Sequence, residues 1–336
     1  MNDARKPLRI GILGAARIAP SAIIFPAQAT GHQLVAVGAR DKARAAEFAK
    51  QYQIQKAYGS YQEVIDDPDV DVVYNALHNG GHGPWNIKAL AAGKHVLSEK
   101  PSASNAAEAK EVAAAVSKSG KVFMEGFHYY YHPVFQRLLA IVKSGEIGEV
   151  IKVESSLLIP MPEKEDLRLK FDLAGGSMMD VGCYALHSQR MISQLIADGE
   201  PTIVKADANA ADGKIDTKLY MQLKYPNGVA ALAKGDFESE AMTAPLTVTG
   251  SKGSVHLPNF VVSGWDPRVI VEVGGQKRVE HLPSISTYTY QLLAFADAVD
   301  LGKPVKTDAK DALIQAGLID SAYQSAGLAL RPIFKI

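Results

Sequence analysis

The chain has almost no cysteine. Cys183 is the only one in 336 residues, which excludes an internal disulfide framework and a cysteine-built zinc site and fits a reducing compartment. It also has no excess of charge, since Lys plus Arg equals Asp plus Glu at 36 each. Without a basic field, nucleic acid and an anionic membrane surface are excluded as natural partners, and a small molecule is expected instead. No apolar run approaches the ~18 residues that a membrane-spanning helix needs. The opening "MNDARKPLRIGILG" does not read as a leader, because its apolar run begins almost at once and leads into a glycine turn. A cytoplasmic protein without a metal site is the expectation. Low-complexity segments and repeats of roughly 20–50 residues are missing as well.

What is present is an alternation. The length suits two cores rather than one. In the first third, short apolar runs such as "LRIGILGA", "QLVAVGAR" (33–40), "DVVYNAL" (71–77), "HVLSEK" (95–100) and "KVFMEGF" (121–127) alternate with helical stretches. The helices are read as starting near Arg17, over "DKARAAEFAKQY", from Pro84 to Ala92, and over "NAAEAKEVAAAVSKSG" ended by Gly120. This is the pattern of right-handed βαβ units and a doubly wound parallel sheet, an α/β Rossmann domain over residues 1–127. From residue 128 to 336 the rhythm changes. A helix from His132 to Lys143 precedes strand-like pieces, among them "KLYMQLKYPNGVAALAKGDF" with "PNG" as a hairpin turn and "LTVTGSKGSVHL". Two amphipathic helices, "TYTYQLLAFADAVDLGK" and "DAKDALIQAGLIDSAYQSA", close the chain. An α+β domain on an open, mainly antiparallel sheet is expected there.

The turn after the first run reads Gly11-Ile-Leu-Gly14-Ala-Ala16-Arg17-Ile18-Ala19. The dinucleotide fingerprint needs small residues for a tight turn, for approach of the pyrophosphate and for helix packing. It aligns on Gly14, Ala16 and Ala19, with alanine where the middle glycine usually stands, so Gly14, Ala16, Arg17 and Ile18 are candidate cofactor contacts. The end of the second run gives "GARDKAR" in place of the acidic residue that would favour NAD. Arg40 and Arg44 lie one helical turn apart and form a candidate fork for a 2′-phosphate, pointing to NADP with NAD as the alternative. They read equally as two solvated arginines. Asp41 suits a helix cap better than a ribose.

The stretch "GGSMMDVGCYALHSQR" from Gly175 to Arg190 poses the main question. On an α-helical wheel, Tyr184 and His187 fall within roughly 40° of Asp180 on an otherwise small or apolar face. The plain alternative makes Asp180 a first-turn acid favoured by the helix dipole and Tyr184 a core tyrosine with a satisfied hydroxyl. Upstream, "SEKPSASN" places Lys100 at the carboxyl end of a parallel strand, where ligands collect in open α/β sheets. The proline after it fixes the local turn, and a cis bond there would aim the ammonium at a set point.

Taken together, the N-terminal turn, "YNALHNGGH", "GKHVLSEKP", "MEGFHYYYHP" and "GGSMMDVGCY" resemble the Gfo/Idh/MocA oxidoreductases over nearly the whole chain. The resemblance implies a Rossmann domain, a second domain whose open sheet is often used for dimerisation, and nicotinamide-dependent hydride transfer. It places the catalytic lysine on Lys100 and the D-x-G segment on Asp180 to His187, in the branch whose proton-transfer residue is a tyrosine four after the aspartate, here Tyr184. His187 then becomes a substrate contact. A free phenol is a poor base at neutral pH; a nearby ammonium favours the phenolate, and Lys100 would also polarise a developing oxyanion. Asp180 would orient Lys100 or the substrate.

The resemblance also puts Glu99, Asn79 and His82 near the cofactor, although His78 stands where that family has proline. Glu125 reads either as a contact to the nicotinamide ribose or as a cap on the following turn. Tyr130 replaces a frequent arginine and suggests a less anionic substrate. Arg168, beside Phe171, falls among substrate loops but also reads as solvated. The expected activity is NADP-dependent oxidation of an aldose to its lactone or reduction of a keto-sugar, in a homodimer or higher homo-oligomer. Dihydrodiol oxidation, reduction of a 3-keto nucleotide sugar and a non-catalytic NADP(H) sensor are the alternatives.

Overall fold

The computed structural model describes residues 6–210 and 212–336. The opening residues 1–5, part of the stretch read as lacking a leader, lie outside the described residues. The chain divides into two compact units, and the first runs through Phe127 and then takes in Tyr288–Ile314 and Ile333–Ile336. Its sheet has six parallel strands: β1 (Arg9–Leu13), β2 (Gln33–Gly38), β3 (Lys56–Tyr58), β4 (Val72–Asn75), β5 (His95–Ser98) and β6 (Phe123–Glu125). They run in the order β3-β2-β1-β4-β5-β6. The order reverses between β1 and β4, so the carboxyl ends of those strands form the crevice where doubly wound sheets bind ligands.

Helices α1 (Phe25–Thr30), α2 (Lys42–Tyr52), α3 (Tyr61–Asp66), α4 (Asn79–Ala91) and α5 (Ala106–Ser119) connect the strands. Their ends follow capping rules: Asn105 accepts the Glu108 amide at the start of α5, and Gly120, left-handed at φ 63°, ends it. Two starts differ from the sequence expectation. The first helical stretch begins with a π-helical turn at Pro20–Ile24 rather than near Arg17, because proline suits the first helical position. Helix α4 begins at Asn79, five residues before the expected Pro84, which lies inside it. There the His78 side chain caps the helix by accepting the Gly81 amide at 3.2 Å. The short β3 and α3 add a sixth strand that the apolar rhythm did not reveal.

The second unit comprises His128–Thr287 and Gln315–Pro332. It is therefore not the unbroken stretch 128–336 that the change of rhythm suggests. Helix α8 (Thr287–Leu301) lies, past its first residue, in the first unit, as does the segment after it. Thr307 exchanges hydrogen bonds with the Glu125 backbone, and Ala309 and Ala312 enter the core around Val96 and Val112, which accounts for the return.

The second unit carries helices α6 (Pro133–Ser144) and α7 (Cys183–Ala197), part of α9 (Ala309–Ser325), and eight strands. The strands are β7 (Val150–Leu158), β8 (Thr202–Asn209), β9 (Lys218–Lys224), β10 (Ala230–Asp236), β11 (Leu246–Gly250), β12 (Gly253–Leu257), β13 (Arg268–Val273) and β14 (Gln276–His281). Their order is β14-β13-β12-β11-β7-β10-β9-β8, antiparallel throughout except for the β7–β10 pair. Strict alternation explains the face each residue takes. In β9, Leu219, Met221 and Leu223 are buried while Tyr220, Gln222 and Lys224 point outward, and α7 packs against β7 and β10. The "PNG" turn closes β9 onto β10 with Tyr225 donating to the Val229 carbonyl at 2.9 Å.

Candidate active site

In the first unit, the turn after β1 is fixed by Gly14. Its φ is +101°, a Cβ there would meet Leu77 Cδ2 at 3.1 Å, and its amide donates to the Gly38 carbonyl at 2.9 Å. Only glycine fits at this point. Ala16 and Ile18 are half-buried and Arg17 is exposed, within a turn closed by Ala19 donating to the Ala16 carbonyl. Arg40 and Arg44 are both exposed beyond β2. Arg44 Nη2 donates to the Ala15 carbonyl at 2.8 Å, which ties this side chain to the glycine turn. Burial pushes the Tyr61 phenol up, the charges of Arg40 and Arg44 offset part of that, and Arg40 is bonded to it. Asp41 caps α2 by accepting the Ala43 amide at 2.8 Å, as its position suggested. A left-handed glycine at the strand end with arginines anchored beside it fits a phosphorylated dinucleotide, so these residues would hold NADP.

The ends of β4 and β5 are locked by a buried polar network that the sequence reading missed. Asn75 Nδ2 donates to Asn86 Oδ1 at 2.9 Å and to the His82 carbonyl at 3.1 Å. Asn86 Nδ2 in turn donates to Ser98 Oγ at 2.9 Å and to the Ser102 carbonyl at 3.2 Å. A signal existed: Asn75 and Ser98 are the polar last residues of otherwise apolar strands. Lys100 follows Ser98 by two residues, is half-buried, and its bond to Pro101 is cis. On either side of it, carboxylates are engaged. Glu99 Oε1 accepts the Tyr74 hydroxyl at 2.7 Å, and buried Glu125 accepts the Ser102 amide at 2.6 Å. Glu125 thus fastens the Lys100–Ser102 turn.

Asn79 is half-buried in the first turn of α4. His78, at φ −70°, holds the backbone angle that proline would impose. His82 is buried, with its ring nitrogens 2.7 Å from the Pro101 carbonyl and 2.8 Å from the Leu77 carbonyl. It clamps the β4 loop to the Lys100–Pro101 turn. Burial, with help from the Lys100 charge, pushes His82 down to about 4 against the pull of the two carbonyls.

This shift has a consequence for stability. As pH falls below the ordinary 6.5, the unfolded chain takes a proton on this ring that the folded one refuses until about 4. Stability contributed by His82 is complete above that window and declines through it, by up to about 1.4 kcal/mol per pH unit. Denaturant midpoints at pH 7 and pH 5 should fall less in His82→Gln than in the wild type. Parallel falls would remove His82 as the source.

In the second unit, the Gly175–Arg190 stretch is helical but not one α-helix. A π-helical turn over Met178–Gly182 carries Asp180, and α7 then carries Tyr184 and His187. The wider turn shifts the register, so the α-helical wheel does not carry across residue 182, and the three side chains meet different partners. Asp180 is half-buried, and Arg168 Nη1 lies 3.5 Å from its Oδ2. Arg168 also grips Asp166 with two nitrogens at 3.0 Å each, so it is an ion-paired bridge rather than a solvated arginine. Tyr184 is buried, and its hydroxyl lies 3.0 Å from His128 Nε2. His187 is fully buried, with Nδ1 at 2.6 Å from the Tyr129 hydroxyl, so its ring is engaged inside the protein instead of being turned to solvent.

In "FHYYYHP", Tyr129 packs edge-on against Phe135, His187 and Phe260, with centroids between 4.8 and 5.7 Å, and belongs to the core. Tyr130 is half-buried against Tyr131 and Phe135. His128 was not singled out in the sequence, where it reads as one more ring of an aromatic run.

Residues 8–127 match the family model described as an oxidoreductase family with an NAD-binding Rossmann fold, and residues 135–256 match the Gfo/Idh/MocA C-terminal domain. The chain is 34% identical over 326 residues to D-xylose 1-dehydrogenase (NADP(+)) 2 of Haloferax volcanii, covering 95% of this chain and 97% of that one. It belongs to the Gfo/Idh/MocA oxidoreductases. Within the family it is also 34% identical to trans-1,2-dihydrobenzene-1,2-diol dehydrogenase of Mus musculus, over 80% of this chain and 79% of that one. Among solved family structures, a 3-ketoreductase from Actinomadura kijaniata in complex with NADP and TDP-benzene superposes with a TM-score of 0.87. It is 27% identical and the match covers 98% of this chain and all of that one. Among the described residues no helix is long and apolar enough to cross a membrane, and no group of His, Cys, Asp and Glu is placed to hold a metal.

Proposed function

We propose that this family member is an NADP-dependent oxidoreductase acting on a carbinol of a sugar or related polyol. In this reading Tyr184 is the proton-transfer residue, Lys100 polarises the developing oxyanion, and Asp180, held by Arg168, fixes the reacting oxygen. The single observation that carries it is the 34% identity to an NADP-dependent xylose dehydrogenase across 97% of that protein. The retained Lys100, Asp180 and Tyr184 support an enzyme over a sensor, which has no use for a proton relay. Bound NADP would supply the hydride acceptor. The protein's share is to orient the carbinol, take its proton at Tyr184 Oη, and stabilise negative charge on the oxygen with the Lys100 ammonium. Half-exposed Tyr130 would offer its ring to an uncharged sugar.

The test is an absorbance assay at the reduced-nicotinamide band with NADP or NAD. Aldoses, inositols and dihydrodiols are offered forward and keto-sugars in reverse. Turnover of an aldose with NADP is the expected result. Turnover confined to dihydrodiols would favour the reading suggested by the mouse relative. Silence across the panel together with tight NADPH binding would overturn the assignment in favour of a sensor.

Cofactor preference is testable apart from turnover. Arg40→Ala with Arg44→Ala should raise the NADP dissociation constant about ten- to a hundred-fold, the scale of one or two charge-assisted hydrogen bonds. NAD binding should change less than about two-fold, because its ribose has no 2′-phosphate for the fork. Equal losses by calorimetry would refute the arginine fork.

A homodimer through the outward face of the eight-stranded sheet completes the proposal. That face carries a concavity lined by Glu154, Tyr220, Gln222, Leu232, Lys234 and Thr247, with Tyr220 and Leu232 among its exposed large side chains. Leu232→Glu should convert a sedimenting dimer to monomer. An unchanged sedimentation coefficient would place the contact elsewhere.

A further inference from the structure

Tyr184 is only one end of a buried line of polar groups. Its hydroxyl lies 3.0 Å from His128 Nε2, and His128 Nδ1 lies 2.7 Å from Thr287 Oγ1. Tyr184, His128 and Thr287 are exposed by 4%, 1% and 2%. The imidazole meets the phenol ring edge-on, with centroids 5.5 Å apart. Thr287 is the first residue of α8 and His128 follows the end of the first unit by one residue. Three distant parts of the sequence therefore converge within the second unit on one ring.

We propose that His128 relays the proton that Tyr184 exchanges with the substrate, with Thr287 setting the tautomer of its ring. This rests on the reading of Tyr184 as the proton-transfer residue. A neutral imidazole carries one N–H, and the threonine hydroxyl can either donate or accept. With Nδ1–H donating to Thr287 Oγ1, the lone pair of Nε2 accepts the tyrosine O–H. When the carbinol is oxidised, its hydride leaves for NADP and its hydroxyl proton passes to Tyr184 Oη. At the same time the phenol's own proton passes to Nε2, so the phenol is restored and His128 becomes an imidazolium. Both of its N–H groups then have acceptors, Tyr184 Oη and Thr287 Oγ1. Once product leaves, Nε2 returns its proton to Tyr184 Oη as the phenol gives its own to the water that enters, and reduction of a ketone runs the same transfers backwards.

Physical chemistry favours such a line over a lone phenol. A free phenol titrates near ~10 and a free imidazole near ~6.5, so the imidazole is the stronger candidate to hold a proton transiently at neutral pH. In a water-excluded site, a proton moves only along groups already in hydrogen-bond reach. Titratable groups packed at this ring include Tyr184 from α7 and, next to it, Tyr129 with its partner His187. Asp180, ion-paired to Arg168, stands one turn before Tyr184. His128 acts through Tyr184, so it is a positioning and relay residue and not one that touches substrate.

The experiment compares wild type, His128→Asn, Thr287→Val and Tyr184→Phe, using whichever substrate of the panel turns over. Asparagine can still bond the phenol but cannot hold its proton. The expected result for His128→Asn is a kcat lower by about ten- to a hundred-fold, with KM and NADPH affinity within about two-fold of wild type. The acid limb of its kcat–pH profile should move upward by more than about one unit, towards the phenol's own range. Thr287→Val should give a smaller fall in kcat with the acid limb moved downward instead, because the imidazolium loses the acceptor that stabilises it. A His128→Asn profile that superimposes on that of the wild type would overturn the relay. If Tyr184→Phe remains active, the reading of Tyr184 itself fails. If Tyr184→Phe is inactive while His128→Asn is normal, only the relay fails. Should either His128→Asn or Thr287→Val fold poorly, the solvent isotope effect on wild-type kcat decides. A linear dependence on deuterium fraction, meaning one proton in flight, would overturn the relay, and a curved dependence, meaning two, would support it.

Discussion

Replacing Tyr184 by phenylalanine is expected to lower kcat by about 10²–10⁴-fold, the range that general acid–base catalysis contributes. That corresponds to about 2.7–5.5 kcal/mol of transition-state stabilisation. Phenylalanine keeps the ring, so the packing against His128 and Tyr129, at centroid distances of 5.5 and 6.2 Å, is retained. What is lost is one hydroxyl and the bond to His128 Nε2. NADPH affinity should hold within about two-fold, since Tyr184 is not among the residues assigned to the cofactor. Stability should fall by about 1–3 kcal/mol from the loss of that buried hydrogen bond. Steady-state kinetics alongside NADPH fluorescence titration would check the pair. Activity retained within ten-fold would remove Tyr184 from proton transfer, and a parallel loss of cofactor affinity would mean that the change is one of folding.

The alternation of apolar runs and helical stretches revealed the parallel sheet because buried parallel strands are continuous in hydrophobicity, as "RIGIL" and "VVYN" are. Half-buried β3, only three residues long, carries no such run and escaped it. The mainly antiparallel second sheet was legible for the complementary reason, strict alternation in strands such as β9 and a glycine-bearing turn after it. Legibility failed where a residue's meaning depends on a partner far along the chain. His128 with Thr287, Tyr129 with His187, and Arg168 with Asp180 are pairings that no local pattern encodes. The helical wheel drawn over Asp180, Tyr184 and His187 assumed a uniform turn, and the π-helical segment breaks that assumption at the point where the chemistry is proposed. The sheet-return of 288–314 was hidden because an amphipathic helix does not state which core it covers.

Below that segment sits a buried ion pair whose disruption should produce the largest loss of stability. The side chains of Asp216 and Arg331 are both fully inaccessible and in direct contact. Arg331 Nε donates to the Gly175 carbonyl at 2.6 Å and its guanidinium stacks 4.0 Å from the Tyr323 ring. Asp216 accepts from the Ser177 hydroxyl at 2.8 Å, the Met178 amide at 2.6 Å and the Tyr323 hydroxyl at 3.1 Å. Burial pushes the Asp216 carboxyl upward, and these donors together with Arg331 pull it back. Gly176 makes room for the pair. Its φ is +123°, and a Cβ there would lie 2.1 Å from Asp216 Oδ1 and 2.6 Å from Arg331 Nη2. The pair therefore fixes Gly175 to Met178, the entry to the turn that carries Asp180.

Arg331→Met leaves a carboxylate buried without its countercharge and should cost about 3–5 kcal/mol. Asp216→Asn combined with Arg331→Met removes both charges and should cost less than the two single changes added, by more than about 1 kcal/mol. Denaturant unfolding of the four proteins measures that coupling. Because Asp180 and Tyr184 hang from the anchored segment, kcat of Arg331→Met should also fall at temperatures where the protein remains folded, by about ten-fold or more, while NADPH binding persists. Additive stabilities with unchanged kcat would reduce the pair to an incidental contact of the core.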